Sequence, residues 1–217
     1  MKTDAELKKD VEAELAWDPN VADTRIGVAV NDNVVTLTGH LDSYAEKVAA
    51  ERAARRVSGL RALAVEIDIT PIGRHARSDT EIAAAARHAL SWSSQVPDEC
   101  VKVTVEAGRV KLEGELDWEY QRRSAEQAIR PLLGVKGITN NIHIKARAVP
   151  ADLTLRIQGA LTRQALREAN RVHLSVDGGK VTLEGPVHSW AERSAIEGAV
   201  WSAPGVVKVL NRISVEL

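Results

Sequence analysis

The sequence is poor in cysteine and in aromatic residues. Its 217 residues contain one cysteine, Cys100, so no disulfide can form within the chain. Five tryptophans and two tyrosines are present and phenylalanine is absent, which predicts cores built from Val, Leu, Ile and Ala. Apolar residues still make up 44% of the chain, which is too many for a disordered protein.

The chain also lacks a charge excess and a long apolar run. Lys plus Arg number 29 and Asp plus Glu number 30, giving a net charge of −1, so we expect no nucleic-acid partner, which would need a basic excess. No stretch approaches the roughly 18 apolar residues of a membrane span, and the start of the chain has no apolar run of a signal peptide. The sequence therefore predicts a cytoplasmic protein, with the periplasm as the alternative if the natural N-terminus is missing.

Catalytic and metal-binding motifs are missing as well. The sequence has no Gly-x-Ser-x-Gly elbow, phosphate loop or dinucleotide fingerprint. It has no His-x-x-x-His or Cys-x-x-Cys spacing for a transition metal. We therefore predict a protein that is not an enzyme and that has no metal and no cofactor.

What the chain does contain is a threefold internal repeat. Three similar strings occur at Val35–Gly39, Val110–Gly114 and Val181–Gly185. Adding 75 to a residue number maps the first copy onto the second, and adding 146 maps it onto the third, without a gap. Such self-similarity indicates repeated folding units, and we predict modules over 1–70, 76–145 and 149–217.

Each copy shows the same order of periodicities. Leu7, Val11 and Leu15 recur every fourth residue, as on one helix face. Two alternating segments then surround a turn at 31–33, as in a β-hairpin, and a second helix and a last strand follow. The prediction is an α+β fold of three tandem αββαβ modules, each with a small three-stranded mixed sheet and two helices on one face. Because about 66 residues form a marginal core alone, we expect the modules to pack on one another.

Two glycines per copy are predicted to be structural. One closes the second strand and the other follows the second helix, where a left-handed cap is favoured. The strand glycines are Gly39, Gly114 and Gly185, and the glycines after the helix are Gly59, Gly134 and Gly205.

The repeat resembles the BON domain, a small bacterial α+β module. The resemblance rests on the αββαβ order, on both sets of glycines, and on the late strings at 140–142 and 209–213; the first copy departs there, with Val65–Ile67. It covers nearly the whole chain. It implies association with the bacterial envelope, with phospholipid or membrane surfaces and with osmotic stress, and it implies no catalytic residues. Some relatives join this domain to a LysM module and bind potassium, but the three copies leave no room for one here.

Aromatic residues recur at the start of the second helix, and basic residues lie near them in sequence. A helix N-terminus carries free N–H groups that can hold a phosphate, and aromatic rings suit a lipid headgroup boundary. These residues are a candidate lipid or anion site, or alternatively they fill joints between modules. The set is Tyr44, Trp118, Tyr120 and Trp190, with Arg122, Arg123 and Arg193.

Trp17 and Trp92 are equivalent residues at the end of the first helix, where the third copy has Arg163. They are a candidate surface for a protein partner, and packing within the module is the alternative.

The sequence thus leaves three functions open. The first is a non-enzymatic protein that binds anionic phospholipid or a membrane surface in a stress context. The second is a cytosolic module that binds an ion such as potassium through backbone carbonyls, which leave no side-chain signature. The third is a protein-interaction scaffold. The oligomeric state stays open too.

Overall fold

The computed structural model describes residues 2–71, 73–146, 150, 152–163 and 171–216. Along these residues, one set of five elements occurs three times. The predicted module boundaries at residues 1, 149 and 217 lie outside the described residues.

The first module contains α1 (Asp4–Trp17), β1 (Ile26–Asn31), β2 (Val34–Leu41), α2 (Tyr44–Arg56) and β3 (Ala62–Ile69). The second contains α3 (Asp79–Ser91), β4 (Val101–Glu106), β5 (Arg109–Leu116), α4 (Glu119–Ile129) and β6 (Gly137–Ile144). The third contains α5 (Leu153–Arg163), β7 (His173–Asp177), β8 (Lys180–Val187), α6 (Trp190–Trp201) and β9 (Lys208–Val215). The predicted αββαβ order is confirmed in all three modules.

Each module has its own three-stranded sheet with the second strand in the middle. The hairpin strands pair antiparallel, whereas the third strand returns parallel to the second after the helix. The predicted mixed sheet is therefore confirmed.

Each sheet buries one face under its two helices. In the first module, Leu7, Val11 and Leu15 of α1 pack with Val35 and Leu37 of β2 in one apolar cluster. Equivalent clusters form the cores of the other two modules. Val, Leu, Ile and Ala dominate these cores, as the scarcity of aromatic residues predicts.

The hairpin turn is tied to the first helix by an aspartate. Asp32 and Asn33 both have positive φ, as a type I′ turn requires, and their N–H groups donate to the Asp4 carboxylate over 3.0 Å each. In the second module, the N–H groups of Ala107 and Gly108 donate to Asp79 over 2.8 Å each. The third module has Pro150 at this position, so it lacks the carboxylate.

The glycine near the end of each second strand allows that strand to lie close to the backbone that precedes the first strand of the same module. A Cβ at Gly114 would overlap the carbonyl oxygen of Cys100, and its φ of +146° disfavours other residues. Gly39 and Gly185 meet equivalent carbonyls in the same way.

Candidate functional site

Trp190, the first residue of α6, lies in a joint between the third and first modules. Its indole packs against the apolar cluster of the first module, and its Nε1–H donates to the carbonyl oxygen of Leu60 over 3.2 Å. The guanidinium carbons of Arg55 and Arg193 lie 5.9 Å and 5.3 Å from the ring centroid, within range of cation–π attraction. Arg193 also donates to two carbonyl oxygens of β9.

Tyr44, the first residue of α2, lies in the joint between the first and second modules. Its ring packs against the apolar cluster of the second module together with Leu132 and Ile138. Burial of the phenol in this joint raises the pKa of Tyr44 above its usual value of 10.0, and the neighbouring carboxylate of Glu126 raises that pKa further.

The joint between the second and third modules replaces this aromatic ring with a carboxylate. The offset of 75 that relates the first two copies puts Glu119, and not Trp118 or Tyr120, at the position of Tyr44. Glu119 is buried. Its Oε2 lies 2.7 Å from Arg122 Nε and its Oε1 lies 3.2 Å from Arg123 Nε. The carboxylate is therefore neutralised by two arginines of its own helix.

In this joint, the facing position at the end of the second helix of the third module carries an aromatic ring. Trp201, at the end of α6, borders a crevice with Trp118, Glu119 and Tyr120, and the guanidinium of Arg122 lies 5.2 Å from its ring centroid. Trp201 is equivalent to Arg55 and Arg130 of the other modules. In the other two joints an aromatic ring faces an arginine. In this joint both residues are exchanged: Glu119 takes the place of the ring and Trp201 takes the place of the arginine.

The three joints follow one rule. The residue that starts the second helix of each module meets the end of the second helix of the next module, and the third module returns to the first. Tyr44 lies near Arg130, Glu119 lies near Trp201, and Trp190 lies near Arg55. The modules thus form a closed cycle, and the expectation that they pack on one another is confirmed.

Trp17 and Trp92 lie outside these joints. Their exposed fractions are 82% and 78%, although tryptophan usually buries most of its surface. Trp17 ends α1, and Trp92 follows α3 directly, with its ring 5.5 Å from the His88 ring. The alternative that these residues pack within their modules is wrong, whereas a partner for them stays a prediction.

The BON domain family model matches residues 3–71, 78–146 and 151–216. The chain belongs to the BON domain family. Osmotically-inducible protein Y of Escherichia coli (strain K12) is a relative that is 27% identical over 146 residues, which cover 65% of this chain and 73% of that protein.

Two solved structures of CdsD, a structural protein of the type III secretion system of Chlamydia trachomatis, are also similar. The first, its C-terminal domain, is 15% identical, covers 100% of both chains and has a TM-score of 0.27. The second is 14% identical, covers 96% of this chain and 91% of that chain, and has a TM-score of 0.26. TM-scores this low carry no argument about fold or function.

The candidate lipid residues of this BON protein do not form one surface: some lie in joints between modules and others lie at the edge of a joint or in solvent. Tyr44, Trp190 and Arg193 lie in joints, as the alternative interpretation proposed. Trp118, Arg122 and Arg123 border the joint with Trp201, and Tyr120 is 54% exposed. Lipid binding by this set stays a prediction, and most of its rings already contact protein.

Sequence reasoning missed Glu119 and Trp201. The signal was present, because the offsets of 75 and 146 align Glu119 with Tyr44 and Trp201 with Arg55. The aromatic residues Trp118 and Tyr120 on either side draw attention away from the carboxylate at the aligned position. A strict alignment of the three BON modules would have shown two substitutions in need of a common explanation.

Two further features bear on the function of the described part of this BON chain. No cluster of three or more His, Cys, Asp or Glu residues that could hold a metal ion is found there. Nor does any helix in those segments have the length and apolarity needed to cross a bilayer.

Proposed function

We propose that this BON protein is not an enzyme and that it binds anionic phospholipid surfaces through Trp17 and Trp92. The observation that carries the proposal is the exposure of both indoles, 82% and 78%, at equivalent positions of two modules. An indole has an apolar body and one N–H donor, which suits the boundary between headgroups and acyl chains. Neither indole is covered by the residues that the structure describes.

The cyclic arrangement supports a common binding face. Because the three joints use equivalent positions, the modules are related by an approximate threefold rotation, which keeps equivalent residues at one level of the ring. Trp17, Trp92 and Arg163 occupy such positions. The third module therefore has an exposed cation where the other two have an indole, a combination that favours a negatively charged surface.

Vesicle flotation tests this proposal. We expect the protein to float with vesicles of equal parts phosphatidylcholine and phosphatidylglycerol more than with phosphatidylcholine alone. The double variant Trp17→Ala, Trp92→Ala should weaken the vesicle binding constant about 30-fold, since each indole contributes on the order of 1 kcal/mol by burial. Leu155→Ala is the control, because Leu155 is 70% exposed but lies elsewhere on the third module.

The scaffold alternative uses the same two tryptophans and gives a different result. If the double variant floats as well as the wild-type protein and loses a bound protein instead, the two indoles form a protein interface and the lipid proposal is wrong. Equal flotation with and without phosphatidylglycerol would also contradict it.

We further propose a role in osmotic stress. Support comes from the relative whose name records osmotic induction. The protein level after an osmotic upshift tests this role, and cell fractionation tests the cytoplasmic location, which stays a prediction.

A further inference from the structure

A polar cavity lies where the second helices of the first two modules meet, away from Trp17 and Trp92. Its volume is about 450 Å³, within the usual range for small-molecule sites. Every residue that lines it is charged or carries an amide: four arginines, two glutamates, one glutamine and one asparagine. A cavity with no apolar wall does not suit an acyl chain or an aromatic ligand.

The charges of the cavity do not cancel. Glu119 is paired with Arg122 and Arg123, and Glu126 accepts from Arg130 over 2.9 Å. Arg52 is the fourth arginine, and no partner for it is found among the residues that the structure describes. Four guanidinium groups against two carboxylates leave an excess of two positive charges around a cavity that is partly open to solvent.

Donors are left over as well as charge. The Nε atom of Arg130 is buried without a hydrogen-bond partner within the described segments, and a buried donor without an acceptor is costly. The Arg130 side chain is only 18% exposed, so solvent does little to offset that cost. The buried Oε2 of Glu119, although 2.7 Å from Arg122 Nε, also has no hydrogen-bond partner in those segments. Because neither atom is accessible from the cavity, what an oxyanion there would supply is the missing negative charge.

The cavity borders a position that the three second helices share, although the third helix contributes its residue there to the neighbouring crevice with Trp201. Arg52, Gln127 and Gly198 are equivalent positions of the three second helices, and the first two line the cavity. Gly198 presents no side chain, and a Cβ built on it would come within 3.9 Å of Arg123 Nη1. Glycine inside a helix costs about 1 kcal/mol relative to alanine, yet no close contact requires it here.

We propose that this cavity binds a small phosphate-bearing anion. Guanidinium groups match phosphate oxygens by paired, charge-assisted hydrogen bonds. Two excess charges suit a phosphate dianion or a phosphate ester, and the volume leaves room for more than one phosphate group. The site goes beyond the proposed membrane contact and does not depend on it, since it shares no residue with the exposed tryptophans.

Titration calorimetry of the full chain with inorganic pyrophosphate, at low ionic strength, tests the proposal. Arg52→Gln should weaken binding about tenfold, the effect of losing one charge-assisted hydrogen bond, without threatening the fold because Arg52 is exposed. Arg87→Gln is the matched control, because it removes the same charge from an exposed position of α3. It should bind pyrophosphate as the wild-type protein does.

Three results decide the outcome. No binding of pyrophosphate by the wild-type protein, or equal weakening by Arg52→Gln and Arg87→Gln, would overturn the site. Weakening by Arg52→Gln alone supports it. Vesicles that contain phosphatidic acid then identify the source: if their binding also depends on Arg52, a lipid headgroup reaches the cavity, and if it does not, the ligand is a free phosphate compound.

Discussion

The joint made by Trp190 offers the sharpest test of the closed cycle. Trp190→Ala removes an indole that packs on the first module and donates to the Leu60 carbonyl. The ring is half-buried, so about 100 Å² of indole surface returns to water. At about 25 cal/mol per Å² this costs about 2.5 kcal/mol, and the lost hydrogen bond adds about 0.5 kcal/mol, because water reaches the freed carbonyl.

The expected loss of about 3 kcal/mol is measurable by thermal unfolding. For a chain of this size, 1 kcal/mol shifts the midpoint by roughly 2–4 °C, so Trp190→Ala should lower the Tm by about 6–12 °C. Trp190→Phe keeps a ring but loses the N–H donor, and the lost hydrogen bond of about 0.5 kcal/mol should lower the Tm by about 1–2 °C. Small-angle scattering should show a larger radius of gyration for Trp190→Ala, because the third module separates from the first.

The control is a tryptophan of the same size outside the joints. Trp92 is 78% exposed, so Trp92→Ala should change the free energy of unfolding by less than about 0.5 kcal/mol. If Trp190→Ala and Trp92→Ala give the same Tm and the same radius of gyration, the contact between the third and first modules does not stabilise the protein, and the closed cycle is refuted.

Two further predictions concern single modules. Asp79→Ala removes the acceptor of two turn N–H groups, one from Ala107 at a φ of +49°, and should cost about 1–3 kcal/mol in urea unfolding. Asp152→Ala breaks only an exposed pair and should leave the urea midpoint nearly unchanged. Backbone and hydroxyl donors of Ser78 lower the pKa of Glu81 below 4.5. The ionised carboxylate therefore stabilises the fold above pH 4.5, and this contribution is lost as the pH falls through the lower, folded-state pKa. The Tm of Glu81→Gln should then fall less than that of the wild-type protein between neutral and acidic pH, and parallel curves would contradict the assignment.

Most of the fold was predictable because it depends on local and periodic signals. The spacing of Leu7, Val11 and Leu15 is a helical one. The predicted left-handed cap at the second helix is wrong in position, because Gly59, Gly134 and Gly205 have positive φ but lie three to five residues past the helix ends. Gly114 shows the limit of such signals. Its recurrence near the end of the second strand marks it as structural, but the Cys100 carbonyl that excludes a side chain is visible only in three dimensions.

The candidate site was less predictable because its contacts cross module boundaries. The sequence around an aromatic residue at a helix start is the same whether the ring faces solvent or a neighbouring module. Tyr44 and Trp190 were therefore compatible with both a lipid site and a joint between modules. Exposure of Trp17 and Trp92 was equally open, since no neighbour in sequence determines it. Arg52 belongs to the cavity only because the second module packs against the helix that carries it.

The joints also explain why three similar modules occupy fixed places in the cycle. A head-to-tail contact between copies closes into a ring when the rotation between them is about one third of a turn, and otherwise continues into a filament. Identical joints would not distinguish one neighbour from another. If the second module took the place of the third, Glu119 would face Arg55 and neither position would carry an aromatic ring. If two third modules were neighbours, Trp190 would face Trp201 and neither position would carry a charge. At the two equivalent positions of each joint, one aromatic ring meets one charged side chain only in the observed order. The exchange of Tyr44 for Glu119 and of Arg55 for Trp201 therefore selects that order over the alternatives.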